Sequence, residues 1–302
     1  ATQGWVPTFD EAVADVPSKR STEGIFGYGK TGSDVSMTNL VSNAGVVATD
    51  VTGVGTARRY LAGCEYGGDK GIFGYGIAVS VSSLTNLVSN AGVVATDTTG
   101  VGTARSGSAA CEYGEDKGIF GYGMAGSVFS MTNLVSNAGV VATDVTGVGT
   151  ARRSVAACEY GEDKGIFGFG FVGPVTGVTN LVSNVGVVAT DVTGVGTARQ
   201  SPAACSYGGD KGIFGFGEGD DFTAVTNLVS NAGVVATDVT GVGTARNALA
   251  ACEYGGDKGI FGYGLTTGVL SMTNLVSNAG VVATDTTGVG TARQYLAACS
   301  FN

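Results

Sequence analysis

Residues 85–97 read Thr-Asn-Leu-Val-Ser-Asn-Ala-Gly-Val-Val-Ala-Thr-Asp, and the same run recurs almost letter for letter six times. Around it, Thr-Gly-Val-Gly-Thr-Ala-Arg, a cysteine and Asp-Lys-Gly-Ile-Phe-Gly-Tyr-Gly recur in the same order. The cysteines Cys64, Cys111, Cys158, Cys205, Cys252 and Cys299 mark the period, which is 47 residues. A repeat of this length is one supersecondary unit that cannot bury its own apolar face, so the fold must come from how copies pack. The non-repeating arm, residues 1–23, is set apart from the repeats at 24–302.

One repeat, residues 61–97, resolves into four short strands. Leu61–Tyr66 is a strand of small residues (A). Gly67–Lys70 is a tight-turn signal, because glycine supplies the positive φ that hairpins require. Gly71–Gly76 is strand B, 77–84 a longer connection, Thr85–Ser89 strand C, Asn90–Gly92 a turn, and Val93–Thr96 strand D. Four strands per 47 residues with no helical period is the pattern of a propeller blade. A β-solenoid is the alternative, but it needs atypical capping repeats, and these copies stay typical to the last residue. The expected fold is therefore all-β: a six-bladed β-propeller of four-stranded blades.

The ends sharpen this expectation. The first repeat starts at strand B (Gly24–Gly29), and the chain finishes on strand A (Leu296–Phe301). The last strand should pair with the first, which would remove open sheet edges. Strand A, carrying the smallest residues, should lie innermost, and the strand B glycines should let neighbouring blades approach closely.

Six cysteines at one position of six repeats do not read as disulfides. On a six-fold ring, neighbours are as far apart as each is from the axis, and a disulfide needs Cα atoms within about 7 Å. Buried free thiols packing as small apolar residues are expected.

The order Arg105, then Ala109-Ala110-Cys111-Glu112-Tyr113, then Gly118-Ile119-Phe120-Gly121-Tyr122-Gly123 resembles the kelch repeat. The resemblance spans residues 24–302 and implies blades running A to D. It departs in detail, with Gly-Tyr-Gly where kelch blades carry a Gly pair, and no repeated Trp. The near-identity of the copies also resembles repeat proteins of bacteriophage particles and tail fibres. That implies an extracellular or virion surface setting.

The chain has no histidine. This removes the usual general base, the Ser-His-Asp and Cys-His arrangements and most zinc sites. No cofactor and no metal site is expected, nor an enzyme. A net charge of −9 argues against a nucleic-acid surface. No apolar run approaches the ~20 residues of a membrane helix. The first residues carry no secretory pattern, and the opening Ala1 leaves processing ahead of it open. The repeated Asp50, Asp97, Asp144, Asp191, Asp238 and Asp285 and the arginines Arg58, Arg105, Arg152, Arg199, Arg246 and Arg293 read as turn and pairing residues rather than a six-fold site. Gly-Val-Gly-Thr lacks the lysine and helix of a phosphate loop.

Two short stretches differ among copies. One is the B–C connection, with Lys30 and Asp34, Ile77, Met124, Phe171, Glu218, Asp220 and Asp221, and Leu265. The other follows the repeated arginine, with Arg59, Tyr60, Arg153 and Tyr295. In a meander these connections share one face, and the nearly invariant A–B and C–D turns share the other. Variation confined to one face of a rigid scaffold is the arrangement of a binding surface, and apolar tips there point to a partner. The leading expectation is a binding or structural protein whose partner is a protein or glycan on this face. A multivalent lectin with six similar sites is the alternative. An enzyme using Glu218, Asp220 or Asp221 is a third. In the arm, Trp5 is a candidate anchor to a larger assembly, and Thr8-Phe9-Asp10-Glu11 is a capping box predicting a helix over about 9–16.

Overall fold

The computed structural model describes residues 21–302; Trp5 and the helix expected over 9–16 lie outside them. The described residues form no helix. They build six three-stranded antiparallel sheets and one short hairpin, Met124–Ala125 with Ser127–Val128.

The second repeat shows the unit. Ala62–Tyr66, Lys70–Gly74 and Thr85–Val88 lie side by side in that order. Cys64 faces Ile72, and Phe73 faces Asn86. The Gly67-Gly68 turn has φ of 66° and 70°, which glycine adopts at little cost. Strand B starts at Lys70 and stops at Gly74, before Tyr75 turns left-handed with φ 65°. Tyr75 donates its N–H to the Leu84 carbonyl, and its own carbonyl accepts from Arg58 Nε.

The expected fourth strand is not a strand. Residues 93–96 follow strand C only through isolated bridges, Val88 with Val94 and Thr85 with Thr98. The register slips by one residue between those two bridges. Side chains cause this by taking backbone partners a ladder would use. Asn86 Nδ2 donates to the Ala95 carbonyl and to Asp97, and Ser89 Oγ accepts from the Ala91 and Val93 N–H groups.

The last strand pairs with the first. Ala297–Phe301 pairs with Glu23–Gly27, setting Cys299 against Ile25 as Cys64 is set against Ile72. The body also takes in Ser21 and Thr22, which the sequence assigns to the arm. Thr22 donates to the Asn302 carbonyl and accepts from Gly255, and Ser21 Oγ donates to Glu65.

The inner strands of the six sheets adjoin in chain order, and the last adjoins the first. A circuit of backbone hydrogen bonds accompanies them. Gly107 donates to Tyr60, Ser154 to Gly107, Ser201 to Ser154, Ala248 to Ser201, Tyr295 to Ala248 and Tyr60 to Tyr295, at 2.8 to 3.2 Å. All six residues are left-handed, with φ between 50° and 63°.

The core lies between repeats rather than within them. Tyr66, Ile72 and Tyr75 of one repeat pack with Phe120, Val135 and Val141 of the next. Tyr75 meets Phe120 edge to face at 5.1 Å. The strand B glycines make this contact close: a Cβ on Gly71 would lie 2.4 Å from Cys299 Sγ, and one on Gly74 2.7 Å from the Phe120 ring. The cysteines are free and buried, as the sequence implies. Each acts as a small apolar knob against a neighbouring strand, and burial pushes every thiol pKa up.

Candidate functional site: the variable face and the axis

The repeated arginine and aspartate are absorbed by structure. Arg105 is fully buried. Its guanidinium donates to the carbonyls of Tyr122 and Thr103 and to Asn133 Oδ1, and lies 4.1 Å from the centroid of the Tyr75 ring of the preceding repeat. Asp144 accepts from Thr103 through its N–H and hydroxyl and from Asn133 Nδ2. Burial raises the Asp144 pKa, but the Thr103 and Asn133 hydrogen bonds outweigh it and hold the carboxyl below its usual range. Thr103 belongs to Gly-Val-Gly-Thr, so the loop that looks phosphate-like serves Asp144. Burial lowers the Arg199 and Arg246 pKa values to about 10, against the pull of Asp238 and Asp285.

The two variable stretches come together. Arg59 and Ile77 exchange both backbone hydrogen bonds, as do Ser106 and Met124, Arg153 and Phe171, Gln200 and Glu218, Asn247 and Leu265, and Gln294 and Lys30. The side chains then make contacts that differ from one place to the next. Arg59 forms a 2.7 Å ion pair with Asp34. Arg153 stacks 4.9 Å from the Phe171 ring centroid. Glu218 accepts from Asn247 and Gln200. Tyr60 and Tyr295 stack at 3.8 Å.

The apolar tips need correction. Ile77, Met124, Phe171 and Leu265 are half-buried, because their backbone pairing lays them against the neighbouring stretch. The residue that does stand out is Val79. Asp220 and Asp221 are exposed at their tip, while Lys30 and Glu218 are half-buried.

The opposite turns stay constant for a packing reason. Gly67 donates to the Asp116 carbonyl of the next repeat, and a Cβ on Gly67 would lie 2.9 Å from the Asn137 carbonyl oxygen. Their sequence is therefore held by contact between repeats. On the variable face the stitching shared by all six copies is the backbone pairing, and the side-chain contacts laid over it differ from copy to copy.

Two features at the axis went unnoticed in the sequence. The residue after each cysteine comes to the axis, bringing together Glu65, Glu112, Glu159 and Glu253 with Ser206 and Ser300. Burial first, and then the charges of Glu65, Glu159 and Glu253, push the Glu112 carboxyl well above the usual range. The signal was present as the position after the repeated cysteine, four times Glu and twice Ser. At the other end of the axis, on the variable face, is a cavity of about 70 Å³ bordered by Tyr60, Tyr295, Ser154 and Ser201. Tyr60 and Tyr295 were recognised as variable, but not as neighbours.

No family model matches the chain, and no curated protein matches it.

Proposed function

We propose that the chain is a six-bladed, kelch-like β-propeller, closed by Ala297–Phe301 and with a bridged fourth segment edging each blade. It works without catalysis, presenting the face that carries Arg59, Ile77, Met124, Arg153, Phe171, Glu218 and Leu265 to a macromolecular partner on a cell or particle surface. The observation that carries this reading is that the same backbone hydrogen bonds pair the two variable stretches in all six copies, while the side-chain contacts differ from copy to copy. Such stitching holds the surface in place while leaving its side chains free to differ, as a recognition surface on a rigid scaffold requires. A lectin with six equal sites has less support, because the polar and aromatic groups that repeat are spent inside the protein. The test is a chain in which all six B–C tips carry the 77–81 sequence. Labelled wild-type protein should bind at least one member of a panel of bacterial cells in flow cytometry, and the uniform-tip chain should not. Equal binding by the two, or no binding by wild type, overturns the proposal.

A further inference from the structure

The residues that follow the repeated arginine form two tiers around the axis. The outer tier is Tyr60, Gly107, Ser154, Ser201, Ala248 and Tyr295, whose backbones form the hydrogen-bond circuit. The inner tier is Leu61, Ser108, Val155, Pro202, Leu249 and Leu296, all buried. Together they line the cavity of about 70 Å³.

The lining is asymmetric, although the backbone is not. Two aromatic rings stand side by side at Tyr60 and Tyr295, and four small residues complete the rim. Burial raises the Tyr60 phenol pKa, and its hydrogen bond with Tyr295 adds to this. No charged residue lines the cavity. Below the rim the walls are apolar except at Ser108, whose Oγ is buried without a hydrogen-bond partner. A water held there needs two to four polar partners, and the floor offers one side-chain hydroxyl. An apolar group that displaces such a poorly held water gains affinity.

We propose that this site binds one neutral sugar residue of the acetamido or 6-deoxy kind, with the sugar ring resting on the rim and only its methyl substituent entering the cavity of about 70 Å³. The apolar face of the sugar lies against the tyrosine pair, and the Ser154 and Ser201 hydroxyls face its hydroxyls. The methyl group enters the floor among Leu61, Val155, Leu249 and Leu296, with Ser108 Oγ hydrogen-bonding the substituent or a ring oxygen. Charged sugars are excluded, because nothing in the lining can pair with a buried charge. The site occurs once per chain, since the two tyrosines do. This rests on the reading of the variable face as a recognition surface and names a chemistry for its centre.

The experiment is a glycan array probed with the full chain, followed by calorimetry with the best-bound glycan. A neutral acetamido or 6-deoxy glycan should bind with one site per chain. Tyr60→Ala and Tyr295→Ala should each weaken it about tenfold or more with unchanged melting temperature, since Ala248 already occupies the same position in another repeat. Ser108→Ala should weaken it several-fold. Binding only to anionic glycans, or to none, overturns the proposal. So does a stoichiometry near six, or affinity unchanged in both tyrosine variants. The uniform-tip chain keeps the whole cavity lining. Sugar binding retained there while cell binding fails to depend on the tips refutes the wider reading alone. Tip-dependent cell binding without sugar binding refutes this one alone.

Discussion

Thr291 donates its N–H and its hydroxyl to the Asp50 carboxylate, with the hydroxyl at 2.6 Å, although the two residues are 241 positions apart. Thr103 and Asp144 make the same contact 41 positions apart. The contact between the last repeat and the first is thus built like those between successive repeats. Burial raises the Asp50 pKa, but the Thr291 and Asn39 hydrogen bonds more than offset it and leave the carboxyl below its usual value. A lowered carboxyl contributes stability above its unfolded pKa, near 3.9, and loses it as pH falls through the folded value. Thr291→Val should therefore cost about 1 kcal/mol at pH 7, with a difference from wild type that shrinks below pH 4. Denaturant titrations at the two pH values check this; a pH-independent difference would count against it.

Removing residues 294–302 strips strand A from the first sheet and bares the edge of Glu23–Gly27. The truncated chain should lose its cooperative thermal transition. Unchanged melting in calorimetry would mean that the Ala297–Phe301 pairing does not hold the body together.

Gly71 and Cys299 form a knob and its socket across two repeats. Gly71→Ala should destabilise by about 1–3 kcal/mol through overpacking. Adding Cys299→Ala should return part of that loss, giving a coupling of about 1 kcal/mol or more. Strictly additive effects in the double-mutant cycle would show that the two do not share space.

Arg105→Lys keeps a positive charge but cannot reach Tyr122, Thr103 and Asn133 together, nor stack as a plane on Tyr75. Losing part of a buried, fully engaged guanidinium should cost about 3 kcal/mol or more. Guanidinium chloride midpoints measure it, and a shift within error would remove the arginine as a link between repeats.

At the axis the sign runs the other way. The Glu112 carboxyl is raised, so the folded protein holds its proton more tightly than the unfolded chain does. Its contribution is fully present below the unfolded pKa, near 4.3, and is lost as pH climbs through the folded value. Ser206 and Ser300 already replace glutamate in two repeats. Glu112→Ser should raise the melting temperature at pH 8 by a few degrees, at ~2–4 °C per kcal/mol, and leave it nearly unchanged at pH 4. An equal shift at both pH values would point to packing rather than charge.

Much of the unit was legible because its signals are local. Alternation in Thr85–Val88, glycines at Gly67 and Gly68, and the small residues Ala62–Tyr66 each mark an element from its own chemistry. The pairing of Ala297–Phe301 with Glu23–Gly27 followed from counting strands. The fourth segment was misread because Val93-Val94 carries strand propensity, while the side chains that compete for its backbone, Asn86 and Ser89, lie in the preceding strand and turn. The tip residues Ile77 and Phe171 were misplaced for a related reason: their partners, Arg59 and Arg153, are 18 residues earlier, and nothing local announces the pairing. Tyr60 and Tyr295 are far apart in the sequence, and they come into stacking contact through the pairing of the last strand with the first.

The backbone circuit through Tyr60, Gly107, Ser154, Ser201, Ala248 and Tyr295 separates the number of units from the side chains they carry. It accepts aromatic, hydroxyl and methyl side chains at equivalent positions, so a substitution there leaves the backbone contacts between units in place. The circuit of six left-handed residues returns to its starting point, so adding or dropping a unit would break one of its hydrogen bonds. The number of units is thereby tied to the backbone, and the side chains at these six positions are not.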